Sequence, residues 1–202
     1  MKIRVVLFDF DGTVIDTMGE YAESASNILS EETGIDKERA KELYLRTAGR
    51  DFFTQLRLIG FEGGVAERAY MRFIEEKRKI LRKKAISSYA IELINDIKKM
   101  GIIAALSTNN ECSLIYEIPG IHAFSEILCF DGLDFRKGYP HLKKLQEKYS
   151  VREEEILFIG DSDYDIDTYS QLGLKSLKTK GIFDEHEAKR LLEEIKRIAD
   201  GL

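Results

Sequence analysis

The 202-residue chain lacks several features that mark particular protein classes. It has only two cysteines, Cys112 and Cys129, and they match no metal-ligand spacing, so we expect two free thiols in a reducing cytoplasm. No apolar run is long enough to cross a membrane. The apolar stretch that follows Met1 is too short for a signal-peptide core. We therefore expect a cytoplasmic protein with no membrane partner.

The chain also lacks an excess of basic charge. It has 31 Lys and Arg residues against 36 Asp and Glu residues, and its formal net charge is −5. This balance argues against a general nucleic-acid binder. Apolar residues make up 44%, which is typical of a packed globular protein, and the length allows one sizeable domain or a core with a small insert.

Short β-branched apolar runs recur along the chain, and most are separated by segments of helical periodicity. Strands that alternate with helices predict an α/β fold, a Rossmann-like doubly wound parallel sheet with helices on both faces. The predicted strands are residues 3–8, 102–106, 126–130, 156–159 and a weaker run near 175–177.

One stretch, residues 18–84, breaks this alternation. It contains helical patterns interrupted by glycines and no convincing strand. We therefore predict an all-helical insert after the first strand, with residues 1–17 and 85–202 forming the α/β core.

Polar side chains follow the predicted strands in order. Ligands bind beyond the carboxyl ends of the strands in a doubly wound sheet, so these side chains should converge at one edge. They are Asp9 and Asp11 after the first strand, "STNN" (107–110) after the second, Lys137 downstream of the third, and Asp161 and Asp165 in "GDSDYDID" after the fourth.

The Asp9 and Asp11 pair indicates a divalent cation. Residues two apart on a strand point the same way, and two partly buried carboxylates repel each other unless they share a cation or a proton. Mg²⁺ typically binds a few carboxylates together with substrate phosphate. Thr108, Asn109 and Lys137 supply donors for phosphate oxygens.

Taken singly, these residues have simpler interpretations. Asp-x-Asp-Gly is often only a turn, Ser107 and Thr108 could be helix caps, and Lys137 alone could be a surface lysine. An EF-hand loop beginning at Asp161 fails, because Ile166 and Leu172 replace the required Gly and Glu. The three histidines form no cluster and are read as surface or packing residues: His122, His141 and His186.

As an ordered set, the motifs resemble those of the haloacid dehalogenase superfamily of phosphohydrolases. "LFDFDGTVIDT" is similar to its first motif, "LSTN" to its second, "KGYP" to its third and "FIGDSDYDI" to its fourth. The resemblance covers the whole chain, and the helical insert stands where the family has a small helical cap. The closest type is the phosphoglycolate phosphatase and β-phosphoglucomutase branch.

The resemblance implies a role for each carboxylate. Asp9 would be the nucleophile that forms an aspartyl-phosphate, and Asp11 would act as general acid and then general base. Mg²⁺ would be held by Asp9, the backbone carbonyl of Asp11 and Asp161, with Asp165 ligating directly or through water. Asp11 also argues against a true dehalogenase, which lacks this residue.

The resemblance also implies that Thr108 and the amide of Asn109 hold the phosphoryl group, while Lys137 neutralises the developing charge. The third motif departs from the usual Lys-Pro-x-Pro, because Gly138 replaces the first proline. Arg136 precedes Lys137, which leaves open which cation reaches the phosphate. Ser107 is the alternative to Thr108.

Substrate choice is expected to lie in the insert. "RTAGRDFF" (46–53) is the best match to the family's substrate-selecting cap loop. Arg50 could pair bidentately with a substrate carboxylate or second phosphate. The alternative is a solvated arginine at a helix start, paired with Asp51.

These observations predict an enzyme, a Mg²⁺-dependent phosphatase for a small phosphorylated metabolite, similar to phosphoglycolate phosphatase. A phosphosugar mutase would use the same residues. A response-regulator receiver domain is disfavoured, because it would place the phosphorylated Asp after a later strand and has no helical insert. A catalytically inactive scaffold is disfavoured, because the set of Asp residues is intact. Nucleic acid is not expected as a partner, and the chain could be a monomer or a homodimer.

Overall fold

The computed structural model describes residues 2–131 and 135–200. Within it the chain divides into two compact units. One combines Met1–Asp16 with Lys84–Leu202, and the other is Thr17–Lys83. We call the first the α/β unit and the second the helical unit.

The α/β unit is built on one parallel sheet, which confirms the predicted fold class. The strands lie in the order β3-β2-β1-β4-β5, and each neighbouring pair is parallel. This order places β1 at the centre of the sheet, where its residues are buried on both faces. The strands are β1 (Val5–Asp9), β2 (Ile103–Glu111), β3 (Glu126–Phe130), β4 (Ile156–Gly160) and β5 (Lys175–Lys178).

The helical unit contains four helices and, among its described residues, no strand: α1 (Met18–Thr33), α2 (Lys37–Arg46), α3 (Phe52–Leu58) and α4 (Gly63–Leu81). Helix α1 packs against α2 and α4. Three aromatic rings, Tyr44, Phe52 and Phe73, form the centre of the unit, with centroids 4.1 to 6.1 Å apart. The unit boundaries lie one residue before those expected from the sequence.

The remaining helices cover the sheet: α5 (Ser88–Lys99), α6 (Cys112–Ile115), α7 (Tyr139–Tyr149), α8 (Asp163–Gln171) and α9 (Glu185–Ala199). One sheet face packs Leu7 and Phe158 against Leu142 of α7 and Tyr169 of α8. Helices α5 and α9 contact each other, and α5 also contacts β2. No helix among the described residues is long and apolar enough to cross a membrane.

The two cysteines form a disulfide bond, so the expectation of two free thiols is wrong. Cys112 begins α6 directly after β2, and Cys129 lies in β3, the neighbour of β2. Pairing of these strands brings the two Cα atoms to 5.1 Å although they are 17 positions apart in the sequence. The argument for a reducing compartment therefore loses its basis.

Candidate active site

The first motif leaves the sheet in a tight turn. Strand β1 ends at Asp9, and the amides of residues 13, 14 and 15 all donate to the carbonyl of Phe10. Gly12 supplies the left-handed conformation at φ 75° that this turn requires. Asp11 therefore lies in the turn and not on the strand, so strand alternation is not what places its carboxylate.

Lys137 joins two carboxylates from opposite ends of the chain. Its Nζ donates to Oδ1 of Asp9 at 2.7 Å and to Oδ2 of Asp165 at 2.8 Å, and only 9% of its side chain is exposed. Burial alone would lower the pKa of Lys137, but the Asp165 and Asp9 carboxylates raise it above its ordinary value. Lys137 is therefore a permanent cation beside Asp9.

Asp9 also faces Asp161, which follows β4. Thr13 Oγ1 lies 3.4 Å from Oδ2 of Asp9 and 3.4 Å from Oδ1 of Asp161, so one hydroxyl lies between the two carboxylates. Burial raises the pKa of Asp9 well above its ordinary range, and the Asp165 and Asp161 charges add to this shift. Burial likewise raises the pKa of Asp161. One lysine thus faces three carboxylates, which leaves negative charge uncompensated.

This uncompensated charge fits a divalent cation held by few protein ligands. In the described part of the chain, no three His, Cys, Asp or Glu side chains surround one point as a protein-only metal cage would require. Oδ2 of Asp165 already accepts from Lys137 and from Ser162. Asp9 and Asp161 remain as the carboxylate pair, and Mg²⁺ is typically bound by one or two carboxylates plus phosphate and water.

The second motif lies in the irregular end of β2. The pairing of β2 with β3 shifts register between Ser107 and Glu111, and such irregularities re-aim side chains. Asn110 Nδ2 donates to Oδ2 of Asp11 at 2.7 Å and to Oγ1 of Thr108 at 2.9 Å. One amide therefore orients both the predicted acid and the predicted phosphate ligand.

The sequence left open whether Ser107 or Thr108, and whether Arg136 or Lys137, faces the phosphate, and the geometry distinguishes between them. Ser107 is fully buried, and its Oγ lies at hydrogen-bond distance from Nδ1 of His141 and Oη of Tyr169. Arg136 is exposed, with its guanidinium 5.4 Å from the ring centroid of Phe130. Both observations favour Thr108 and Lys137 as the phosphate-facing residues, and this stays a prediction.

Arg50 belongs to the helical unit, in the segment between α2 and α3. Asp51 caps α3 by accepting from the Thr54 amide. Gln55 fixes the segment from both sides: its Nε2 donates to the carbonyl of Arg50 at 2.9 Å, and its Oε1 accepts from Thr47 at 3.0 Å. The loop around Arg50 is therefore an ordered part of the helical unit.

Several site residues were not predicted from the sequence. Thr13 and Asn110 lie inside the quoted motifs, but their partners are set by the fold. Of the two readings given for His141, surface or packing, the structure shows the packing one: the ring is fully buried, and its Nδ1 contacts Ser107, a partner that the sequence did not indicate. Tyr169 carried a usable signal, because it lies four positions after Asp165 on α8 and so shares its helix face.

Comparison with known proteins decides the family. The sequence model of the family of haloacid dehalogenase-like hydrolases matches residues 6–179 of this chain. The chain belongs to this family. The family and the names of its relatives confirm the prediction of an enzyme, a hydrolase of the phosphatase type.

Two curated relatives and one solved structure illustrate the similarity. A phosphoglycolate phosphatase of Mesorhizobium japonicum is 27% identical over 198 residues, covering 92% of this chain and 87% of the relative. Pyrophosphatase PpaX of Bacillus mycoides is 25% identical, covering 88% and 83%. The crystal structure of a hydrolase from Pseudomonas syringae superposes with a TM-score of 0.75 at 18% identity, covering 98% and 99%.

Proposed function

We propose that this protein is a Mg²⁺-dependent phosphatase that hydrolyses a small phosphomonoester through an aspartyl-phosphate on Asp9. The observation that carries the proposal is the environment of Asp9. Its carboxylate is buried at the end of the central strand, with Lys137 on one oxygen and the Thr13 hydroxyl and Asp161 beside the other. A buried carboxylate that a lysine and a hydroxyl hold in a fixed orientation is suited to attack phosphorus.

In the first half-reaction, an Asp9 oxygen forms a bond to phosphorus while the bond from phosphorus to the leaving oxygen breaks. Asp11 gives its proton to that oxygen. In the second half-reaction Asp11 takes a proton from water, the water oxygen attacks phosphorus, and Asp9 is released with inorganic phosphate. Asn110 supports both roles, because its side-chain amide fixes the orientation of the Asp11 carboxylate.

The transferred phosphoryl group needs donors and positive charge. We assign the Thr108 hydroxyl and the Asn109 amide as donors and Lys137 as the nearby cation. Mg²⁺ would be held by Asp9, Asp161 and the Asp11 backbone carbonyl, and it would neutralise phosphate charge and fix its orientation. We assign Asp165 the role of orienting the Lys137 ammonium, which donates to its Oδ2.

The substrate class follows from the relatives' names, phosphoglycolate phosphatase and pyrophosphatase. Both substrates carry a second anionic group beside the reacting phosphate, and we propose that Arg50 pairs with it. A phosphosugar mutase would form the same intermediate but return the phosphate to the sugar. We propose a small phosphorylated metabolite as the partner, with neither nucleic acid nor membrane involved.

The test is phosphate release from phosphoglycolate, pyrophosphate, p-nitrophenyl phosphate and β-glucose 1-phosphate, with and without Mg²⁺. We expect release that depends on Mg²⁺ and is abolished in Asp9→Asn. Asp163→Asn is the matched control, because Asp163 lies in the same fourth motif and is exposed. Isomerised sugar phosphate without free phosphate would indicate a mutase, and wild-type activity in Asp9→Asn would remove the proposed nucleophile.

A further inference from the structure

A buried polar chain lies behind Lys137 and takes no part in the proposed chemistry. It links three elements of the α/β unit: β2, the start of α7, and α8. Ser107 Oγ lies 2.8 Å from Nδ1 of His141 and 2.7 Å from Oη of Tyr169. The same Tyr169 oxygen accepts the N–H of Gly138 at 3.1 Å. Ser107, His141 and Tyr169 are all completely shielded from solvent.

The contact with Gly138 acts directly on the backbone of Lys137. The N–H of Gly138 is part of the peptide bond between Lys137 and Gly138, and this N–H donates to the Tyr169 hydroxyl. The N–H of Lys137 is part of the preceding peptide bond, between Arg136 and Lys137, and it donates to Oδ1 of Asn109 at 3.0 Å. Both peptide groups around the Lys137 Cα are thus fixed by side chains, one from β2 and one from α8.

This double anchoring matters because a glycine follows the lysine, and glycine by itself restricts the backbone less than any other residue. The φ of 99° and ψ of −137° of Gly138 lie outside the range that other residues adopt readily. Proline, which the family motif usually has here, is restricted to a φ near −65° and has no N–H to donate. The chain therefore has glycine where a rigid residue is usual, and its N–H is held by a buried hydroxyl.

The buried chain is uncharged at neutral pH. Burial lowers the pKa of His141 to about 3 and raises the pKa of Tyr169 to about 12, so neither side chain ionises. It therefore adds no charge beside Lys137 and Asp9, and its influence on the site is geometric.

We propose that Tyr169 is a positioning residue for the proposed phosphatase reaction. Its hydroxyl is held by Ser107, which also contacts His141, and it anchors Gly138 and thereby aims the Lys137 ammonium at Asp9. This inference rests on the proposed function for its effect on turnover. The hydrogen bond itself does not depend on any activity.

The variant is Tyr169→Phe, which keeps the ring and removes only the hydroxyl. We expect kcat to fall about tenfold, the effect of losing one hydrogen bond from the arrangement that stabilises the transition state. KM and the Mg²⁺ concentration for half-maximal activity should stay within about twofold, because substrate and metal ligands are untouched. Ser107→Ala removes the partner of Tyr169 and should give a smaller fall in kcat.

Tyr149→Phe is the matched control. The Tyr149 hydroxyl donates to Glu126 at 2.9 Å, and its ring packs against the same core, but it does not contact the Lys137 backbone. A general loss of packing or hydrogen bonding would affect both variants alike. Unchanged kcat in Tyr169→Phe, or an equal fall in Tyr149→Phe, would overturn the positioning role.

Amide hydrogen exchange provides a readout without activity. In ¹⁵N-glycine-labelled protein, the Gly138 amide should exchange at least about tenfold faster in Tyr169→Phe than in the wild type, and at the wild-type rate in Tyr149→Phe. If the wild type released no phosphate from any substrate, the proposed function would fail, and exchange at Gly138 would still decide whether Tyr169 anchors the loop. An unchanged exchange rate would refute the anchor.

Discussion

Replacement of Lys137 by methionine should destabilise the protein strongly at neutral pH. The lysine lies between Asp9 and Asp165, at 2.7 and 2.8 Å, and the side chains of these carboxylates are only 6% and 2% exposed. Methionine fills a similar volume but leaves both carboxylates buried without their cation. Removal of one partner from a buried ion pair costs about 3–5 kcal/mol of unfolding free energy, and we expect a loss in this range.

The loss should shrink as the pH falls. Burial already raises the pKa of Asp9 in the wild type, so the folded protein binds a proton more tightly there than the unfolded chain does. Stability therefore falls as the pH rises from the ordinary Asp range through the raised pKa. Without Lys137 this pKa rises further, so the decline continues to higher pH. The two proteins should differ most at neutral and alkaline pH and least in acid, where Asp9 is protonated.

Urea unfolding in the presence of a chelator would measure this at about pH 5 and about pH 8. Lys178→Met is the matched control, because Lys178 pairs with Asp163 at a site where both side chains are more than half exposed. That variant should stay within about 1 kcal/mol of the wild type. A Lys137→Met loss below about 1 kcal/mol at the higher pH, or one that grows on acidification, would refute the reasoning.

Two further predictions concern other parts of the chain. Cys112→Ser should lower the unfolding free energy by about 3 kcal/mol, the loop-closure value for a separation of 17 residues, and a reducing agent should shift the wild type by a similar amount but leave the variant unchanged. Arg50→Ala should raise KM for phosphoglycolate and pyrophosphate by about tenfold or more and change KM for p-nitrophenyl phosphate little, because only the first two have a second anionic group. Equal changes in KM for all three substrates would exclude a selective role for Arg50.

The fold could be predicted because its signals are local. Apolar runs in the sequence mark the positions of all five strands. The end of strand β2 could not be predicted in this way, because the strand continues past its apolar run to Glu111 through four polar residues that have no strand pattern. Its extension depends on pairing with β3, which is irregular there. The disulfide was missed for the same reason, because only strand order brings Cys112 to Cys129.

The site could be predicted in its residue types but not in its connections. Asp9, Asp161 and Lys137 were expected to lie together because polar residues at successive strand ends share one edge of a parallel sheet, and the structure brings them together. Which hydroxyl or amide completes each contact depends on geometry to a fraction of an ångström. Thr13 and Asn110 are ordinary turn and strand-end residues in the sequence, and only the fold shows that each joins two side chains of the site.

The glycine of the third motif shows how a local irregularity can be compensated elsewhere in the fold. Taken alone, Gly138 weakens the motif, because it replaces a rigid residue beside the lysine with the most flexible one. In the structure the same substitution provides an N–H that proline lacks, and Tyr169, 31 positions away, accepts it. A chain with proline at this position would offer that hydroxyl no backbone donor. The rigidity that the sequence lacks at residue 138 is thus supplied by α8, and any exchange of Gly138 for proline would have to change the surroundings of Tyr169 as well.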